Sequence, residues 1–344
     1  LGIHIDKQFL LALSDFFNRH QIKSGFSIGV RGFFQINRHV FSMYCYANII
    51  LISNLYINYT KAFRDGNMLN FNLMKYIFVL CLFGSNGIIA SYILLNSYEI
   101  VFWRTFIAAT FLLGVFLLSR QKFTFLHLRK DAFFLCLGGF SLVLSWIFLF
   151  EAYLHIGVSV GTLLYYCGPV IVMVLAPLIF KERLTSTKLM GFTIVLAGMV
   201  ILNSEAFIEG EMSVGILFGL LAAVMYSTMV IFNKKGQAIQ GLENTTIQLI
   251  AAFSLVAIYT IVKGGFPVAM SEESILPIFI LGLVNTGIGC YMYFTSIGKL
   301  PVQTVSILGY LEPLSALVFS AILLGENLSL LQLIGAACIL GGAA

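Results

Sequence analysis

Two ionisable side chains lie inside long apolar stretches of the sequence, where a charge is costly and by default faces a cavity or a partner. Glu312 lies near the middle of the stretch 302–324 and directly precedes Pro313. A proline there removes one backbone hydrogen bond and frees a carbonyl. A carboxyl beside it can bind a proton, a cation or a substrate amine; the alternative is a neutral acid that joins two helices. Arg104 lies near the start of the stretch 99–118, where it either orients an anionic group or extends to the nearer membrane interface.

A path for a small molecule needs mostly apolar and aromatic walls with a few polar groups. Six further residues inside apolar stretches meet this need, namely Asn86, Trp146, Tyr166, Tyr226, Asn285 and Tyr310. Tyr and Trp also form belts at membrane interfaces, which is the alternative for four of them. Pro169 and Pro313 fall within apolar stretches, and we interpret them as kinks that open helices around a cavity. Static packing kinks are the alternative for both prolines.

The motifs of common enzymes are missing from the sequence. It has no H-E-x-x-H, no G-x-S-x-G and no P-loop, and beyond residue 67 its histidines are His127 and His155, both expected in loops. The six cysteines form no C-x-x-C pair, which favours buried thiols. We therefore expect no catalytic residue, no metal and no cofactor. Glu182 and Glu326 follow the ends of apolar stretches, and we expect each to fix its loop or to cap the next helix.

The elements that must position these residues are membrane-spanning helices. Hydrophobic residues make up 59% of the 344 and charged residues 10%, against roughly 25% charged in soluble domains. A span needs about 20 mostly apolar residues. Ten such stretches follow one another, at approximately 75–94, 99–118, 131–150, 158–179, 187–203, 214–233, 245–262, 274–295, 302–324 and 329–344. The last is expected to be truncated.

The loop charges predict an orientation. The loops after the second, fourth, sixth and eighth stretches carry ten basic residues, which are Arg120, Lys122, Arg129, Lys130, Lys181, Arg183, Lys188, Lys234, Lys235 and Lys299. The intervening loops carry only Lys263, and the loop 203–213 is acidic. Because basic loops stay in the cytoplasm, the start of the first span and the end of the tenth are predicted to be cytoplasmic. The net charge of +5 is therefore an orientation signal, and we expect no nucleic-acid partner.

The chain also repeats itself at an offset of 144 residues. Matching positions include Gly138 with Gly282, Tyr166 with Tyr310, Pro169 with Pro313, Glu182 with Glu326, Gly191 with Gly335 and Gly198 with Gly342. Each copy holds five predicted spans, an odd number, so the second copy must enter the membrane from the opposite side. This predicts two inverted five-helix repeats, at 68–203 and 204–344, an arrangement that recurs in secondary transporters. The fold class expected is an all-α polytopic membrane protein of ten helices.

From about residue 74 onward the chain resembles the drug/metabolite transporter superfamily, and within it the EamA-type permeases. The resemblance is carried by the segments Phe83-Gly84-Ser85-Asn86, Phe102-Trp103-Arg104, Tyr165-Tyr166-Cys167-Gly168-Pro169 with Lys181-Glu182-Arg183-Leu184, and Leu311-Glu312-Pro313 with Gly325-Glu326-Asn327-Leu328. It implies ten spans, inverted repeats, a central cavity and transport of amino acids, other metabolites or drugs, often outward. It does not reach residues 1–67, whose composition differs and which we treat as an extension outside the functional unit.

The function expected is a secondary-active exporter of small metabolites in a bacterial plasma membrane, working by alternating access. The partners expected are a small-molecule substrate and the lipid bilayer, while proton coupling and a homodimer are left open. An intramembrane enzyme, a passive scaffold and a channel are the alternatives. A passive scaffold has no need of two-sided pseudo-symmetry, and no ring-forming filter motif indicates a channel.

Overall fold

A computed structural model describes residues 68–119, 121, 123–182, 185–202, 214–263, 271–319 and 329–343. The extension 1–67, the acidic loop 203–213 and Glu326 lie outside these described residues. The described part is helical. Its helices are α1 (Met68–Gly84), α2 (Asn86–Ser91), α3 (Ser97–Leu118), α4 (Arg129–Tyr165), α5 (Cys167–Phe180), α6 (Ser186–Leu202), α7 (Val214–Lys235), α8 (Gly241–Lys263), α9 (Glu272–Ile280), a π-helix (Leu281–Ile288), α10 (Gly289–Ile297), α11 (Val302–Leu308), α12 (Leu311–Phe319) and α13 (Leu330–Ala343).

Seven segments among the described residues are long and apolar enough to cross a membrane. They are Phe71–Ala90, Ser97–Leu118, Arg129–Ile156, Val214–Lys235, Gly241–Lys263, Glu272–Ile297 and Val302–Phe319. Three shorter apolar helices are Cys167–Phe180, Leu189–Ile201 and Leu333–Gly342. The described part of the chain is thus all-helical, with several segments of the length and composition that membrane spans have. Because the three shorter helices fall below the length of a full span, the count of ten spans stays a prediction.

The loop predicted between the third and fourth spans is not present, because one continuous helix occupies that region. Helix α4 runs for 37 residues without a break, so His155 lies in a helix, with its ring stacked on that of Phe218 at 5.9 Å between centroids. The sequence around His155 contains no proline, so helical hydrogen bonding continues through it. The break comes at Tyr166, because Pro169 has no N–H and fits only in the first turn of a new helix, α5.

Helix α6 packs directly against α13 through glycines. A Cβ placed on Gly198 would lie 2.8 Å from the carbonyl oxygen of Gly335, and one placed on Gly191 would lie 2.6 Å from that of Gly342. Only glycine permits such a backbone approach. The contact is reciprocal, because Gly191 and Gly335 occupy matching positions of the repeat, as do Gly198 and Gly342. The two helices therefore run antiparallel.

Hydrogen bonds join helix ends at one end of the bundle, which we call the basic end because Lys181, Lys235 and Lys299 lie there. The Glu182 carboxylate, after α5, accepts hydrogen bonds from the backbone N–H groups of Val302 (2.8 Å) and Gln303 (3.3 Å) at the start of α11. Glu182 therefore caps a helix, although the sequence predicted the next helix in the chain. The capped helix is not the next one in the chain, since it belongs to the other repeat.

Two further hydrogen bonds join helices at the opposite end of the bundle. There the backbone N–H of Leu94, after α2, donates to the Ser274 hydroxyl of α9 at 2.9 Å. The Tyr259 hydroxyl of α8 donates to the Glu151 carboxylate of α4 at 3.4 Å. Between the two ends, the helical path is interrupted in three places. These are the break between α1 and α2, the break between α11 and α12, and the π-helix. The site described next lies among them.

Candidate functional site

A cavity of about 50 Å³ lies among the broken helices. It is lined by Phe83, Asn86, Arg104, Leu142, Trp146, Tyr165, Tyr226, Met229, Cys290, Tyr293, Phe294 and Glu312. Five of the eight residues that the sequence singled out as path residues are among these, namely Asn86, Arg104, Trp146, Tyr226 and Glu312. The lining comes from both halves of the chain. Most of it is aromatic or apolar, with an arginine and a carboxyl as its charged groups.

Arg104, on α3, is buried, with 6% of its surface exposed. Its Nε donates a hydrogen bond to the Thr286 hydroxyl at 2.9 Å, and its guanidinium lies 4.2 Å from the centre of the Trp146 ring. These contacts favour a role in the cavity over extension to the membrane interface, and that role stays a prediction. Within the described residues the two terminal nitrogens donate no hydrogen bond, so the forked end of the guanidinium is available to an anionic group.

Thr286 belongs to the π-helix, and sequence reasoning missed it. Its hydroxyl donates to the Leu281 carbonyl at 2.7 Å, which leaves an oxygen lone pair aimed at Arg104. Gly282 brings this segment against α3, since a Cβ there would lie 2.8 Å from Cβ of Ile107. π-Helical turns occur frequently at functional sites. No residue type in the segment marks a π-helical turn, so the sequence carried no signal for the placement of Thr286.

Asn86 and Asn285 were predicted separately, and the structure brings them together. The Asn285 side-chain amide donates to Asn86 Oδ1 at 2.9 Å, to Ser85 Oγ at 3.1 Å and to the Leu82 carbonyl at 3.2 Å. Asn285 thus supports the turn between α1 and α2 from behind. Asn86 lines the cavity, whereas Asn285 is fully buried.

Glu312 is the second residue of α12, immediately after the break that separates this helix from α11. Its carboxyl lines the cavity and makes no hydrogen bond to the residues that the structure describes. Arg104 and Glu312 interact electrostatically across the cavity. Pro313 lies in the first turn of α12, as Pro169 does in α5, so each proline follows its helix break by a few residues. A carboxyl at a helix N-terminus also meets the positive end of the helix dipole.

The tyrosines form a connected group along one side of the cavity. The hydroxyls of Tyr226 and Tyr293 lie 3.0 Å apart, and the rings of Tyr165 and Tyr226 meet edge to face at 5.4 Å. Tyr165 and Tyr293 were not predicted. Tyr166 and Tyr310, which were predicted, do not line the cavity. They lie beside it, at the two helix breaks.

Among the described residues, no group of three or more His, Cys, Asp or Glu is placed to hold a metal ion. The arrangement offers a fixed cation, a carboxyl and aromatic walls, which suits binding of a small polar molecule more than bond-making chemistry.

The sequence was compared with models of known protein families. The EamA-like transporter family matches this chain twice, at residues 70–204 and 213–344. The chain belongs to the EamA-like transporter family. The resemblance drawn from the sequence is thereby confirmed, and the protein is a membrane transporter of the EamA type with a small-molecule substrate and a lipid environment.

Two relatives and a solved structure are similar to this chain. An uncharacterized transporter of Bacillus subtilis is 26% identical over 79% of this chain and 88% of its own length. A probable amino-acid metabolite efflux pump of Salmonella typhimurium is 29% identical over 49% of this chain and 60% of its own length. A crystal structure with a TM-score of 0.67 and 17% identity covers 79% of this chain and 95% of that one, so it shares the fold.

Proposed function

We propose that this EamA-type transporter exports amino acids or related small metabolites, with drugs as a further substrate class, by alternating access through the Arg104–Glu312 cavity. One observation carries the proposal: a buried guanidinium lines the same cavity as a carboxyl that makes no hydrogen bond to any described residue. The pair suits a molecule that carries both an anionic and a cationic group. The relatives named amino-acid metabolite efflux pumps in Salmonella typhimurium and Escherichia coli support this substrate class.

The architecture proposed is ten spans in two inverted repeats, 68–203 and 204–344. The reciprocal glycine contacts between α6 and α13 support it, because matching positions exchange partners as they do across a two-fold axis. The sorting of helix ends also supports ten crossings, since Lys181, Lys235 and Lys299 lie at the same end of the bundle among the residues that the structure describes. We propose that the basic end faces the cytoplasm of a bacterial cell, as loop charges predict.

Arg104 and Glu312 have different roles in this mechanism. Arg104, held by Thr286 and Trp146, presents its two terminal nitrogens to the substrate anion. Glu312 exchanges its partner, either a proton or the substrate ammonium, as the cavity opens to one side and then to the other. A metabolite site typically has a volume of about 300–1,000 Å³. The cavity of about 50 Å³ must therefore widen to admit a substrate.

Counterflow in proteoliposomes tests this proposal. The protein is reconstituted with a radiolabelled mixture of amino acids outside and the unlabelled mixture inside, and we expect transient accumulation of label. Glu312→Gln keeps the shape of the side chain and removes its titration, so it should abolish accumulation driven by an imposed pH gradient while leaving counterflow. Glu273→Gln, at an exposed position, is the matched control. If Glu312→Gln protein still concentrates substrate when a pH gradient is imposed, the carboxyl has no part in coupling.

A further inference from the structure

Three side-chain amides form a buried cluster that the cavity does not include. Asn233, near the end of α7, and Asn244 and Gln248, in the first turns of α8, make up what we call the amide cluster. Asn233 Nδ2 and Gln248 Nε2 both donate to Asn244 Oδ1, at 3.2 and 2.7 Å. Asn244 Nδ2 donates to the Ile239 carbonyl at 3.0 Å. The last bond fixes the orientation of Asn244, which in turn fixes the other two amides.

Two acceptors in this cluster are left over. Asn233 Oδ1 and Gln248 Oε1 have no hydrogen-bond donor among the described residues, although both side chains are fully buried. Turning either amide over would set an oxygen against Asn244 Oδ1, so reassigning oxygen and nitrogen offers no remedy. A buried acceptor without a partner is destabilising, because it has given up its hydrogen bonds to water without replacing them. Buried acceptors without a partner are rare in native proteins, so these two need an explanation, such as a role in binding.

Glycines face these two oxygens. A Cβ on Gly138, of α4, would lie 2.8 Å from Gln248 Oε1, and a Cβ on Gly298, after α10, would lie 4.0 Å from Asn233 Oδ1. Both oxygens therefore lie against backbone that carries no side chain. Larger residues at these positions would cover the acceptors.

The amide cluster lies one helical turn from the cavity, toward the basic end. Three helices contribute to both places. Each has one residue in the cavity lining and a second residue beside the amide cluster. The two residues are four positions apart, so they lie on the same face of the helix. The pairs are Leu142 and Gly138 on α4, Met229 and Asn233 on α7, and Phe294 and Gly298 at α10. Leu142, Met229 and Phe294 thus form an apolar barrier between cavity and cluster.

The repeat provides a second, independent reason to connect Gln248 with the transport path. It lies 144 positions after Arg104, so the two residues match between the repeats. Arg104 faces the cavity from the helix that begins at the opposite end, and Gln248 belongs to the helix that begins at the basic end. In an inverted repeat, matching positions take each other's surroundings when the protein changes the side to which it opens.

We propose that the amide cluster is a second polar subsite on the transport path, which binds N–H donor groups of the substrate, such as an ammonium, when the path opens toward the basic end. This rests on the proposed alternating-access function. The two free oxygens are acceptors, so the subsite takes the donor end of a molecule whose anionic end Arg104 holds. Separation of Leu142, Met229 and Phe294 joins the two sites.

Cysteine accessibility tests the subsite without knowledge of the substrate. In a background lacking native cysteines, Asn233→Cys and Gln248→Cys are compared with Val230→Cys and Leu249→Cys, which are equally buried and close in sequence. The probe is a trimethylammonium-ethyl methanethiosulfonate, applied in inside-out vesicles and in whole cells. We expect both cluster cysteines to react faster than their controls from the side that the basic end faces, with protection by the amino-acid mixture. Gly298→Cys reports the same space if an amide variant does not insert.

A transport measurement complements the labelling. Gln248→Leu should raise the KM for the amino-acid mixture about tenfold when it is offered at the basic end and leave it unchanged at the other, as loss of one hydrogen bond implies. Leu249→Met is the control. If wild-type protein gives counterflow but the cluster cysteines react no faster than their controls, the amides are structural and the subsite is wrong. If wild-type protein gives no counterflow, the proposed function fails instead, whatever the labelling shows.

Discussion

The Tyr310 hydroxyl donates a hydrogen bond of 2.9 Å to the backbone carbonyl of Tyr166, and these two tyrosines occupy matching positions of the repeat. Their rings also meet, with centroids 6.2 Å apart. Residues that match across a two-fold operation touch each other only near its axis. The axis relating the proposed repeats therefore passes between the two helix breaks, beside the cavity.

Replacing Arg104 by Lys tests the forked geometry of the site. A lysine ammonium cannot bond Thr286, lie over Trp146 and still present two parallel donors. We expect Arg104→Lys to lower the counterflow rate about tenfold or more with unchanged expression. Arg129→Lys, at an exposed position, is the control and should transport normally. Full activity in Arg104→Lys would mean that a point charge suffices there.

Glu182 links the two repeats at the basic end, and its removal should loosen that end alone. Glu182→Gln replaces one of the two acceptor oxygens that cap Val302 and Gln303, at a cost of about 1 kcal/mol. We expect faster hydrogen exchange at these two backbone amides, measured by mass spectrometry of peptides from the detergent-solubilised protein. Peptides from the start of α9 should keep their exchange rates. Uniform acceleration through the whole protein would point to general destabilisation.

Gly198 should tolerate no side chain. Gly198→Leu forces α6 away from the Gly335 carbonyl on α13. We expect the free energy of unfolding, measured by thermal denaturation, to fall by about 1–3 kcal/mol. Gly341→Leu provides a matched control on α13, because a Cβ on Gly341 meets no atom within 4 Å. Equal stability of the two variants would mean that the glycine contact between α6 and α13 is not tight in the membrane.

The proposed orientation can be measured with an impermeant thiol reagent on whole cells. In a background lacking cysteines, we expect it to label Leu94→Cys, at the opposite end, and to spare Gln121→Cys, at the end that loop charges place in the cytoplasm. Both side chains are exposed, so burial does not explain a difference. Disruption of the cells should make the two variants equally reactive. Labelling of both variants before disruption would contradict the ten-span map.

The sequence predicted the members of the site better than their contacts. Asn86, Arg104 and Glu312 stand out because a polar group in an apolar stretch is rare, and the structure brings all three to one cavity. Tyr165 and Tyr293 were missed because a tyrosine in a membrane helix is common at interfaces as well as in cavities. The pairing of Asn86 with Asn285 depends on how distant helices meet, which periodicity along one helix does not contain.

The helix boundaries failed where local sequence allows two outcomes. The region around His155 could end a span or continue a helix, and only packing against Phe218 and its neighbours decides between them. The π-helix was invisible for a related reason. An extra residue in one turn shifts the facing of every later side chain by a third of a turn or so, and no residue type marks that shift.

The extra residue in each π-helical turn makes a change of helical register within Leu281–Ile288 conceivable, and such a change would affect two helices at once. Two adjacent residues of this segment bond to different helices: Asn285 to Asn86 of α2, and Thr286 to Arg104 of α3. A return of the segment to ordinary α-helical register would rotate both side chains together by about 100° about the helix axis. One change of register would thus release both hydrogen bonds in a single step, and α2 and α3 would lose their ties to this segment together.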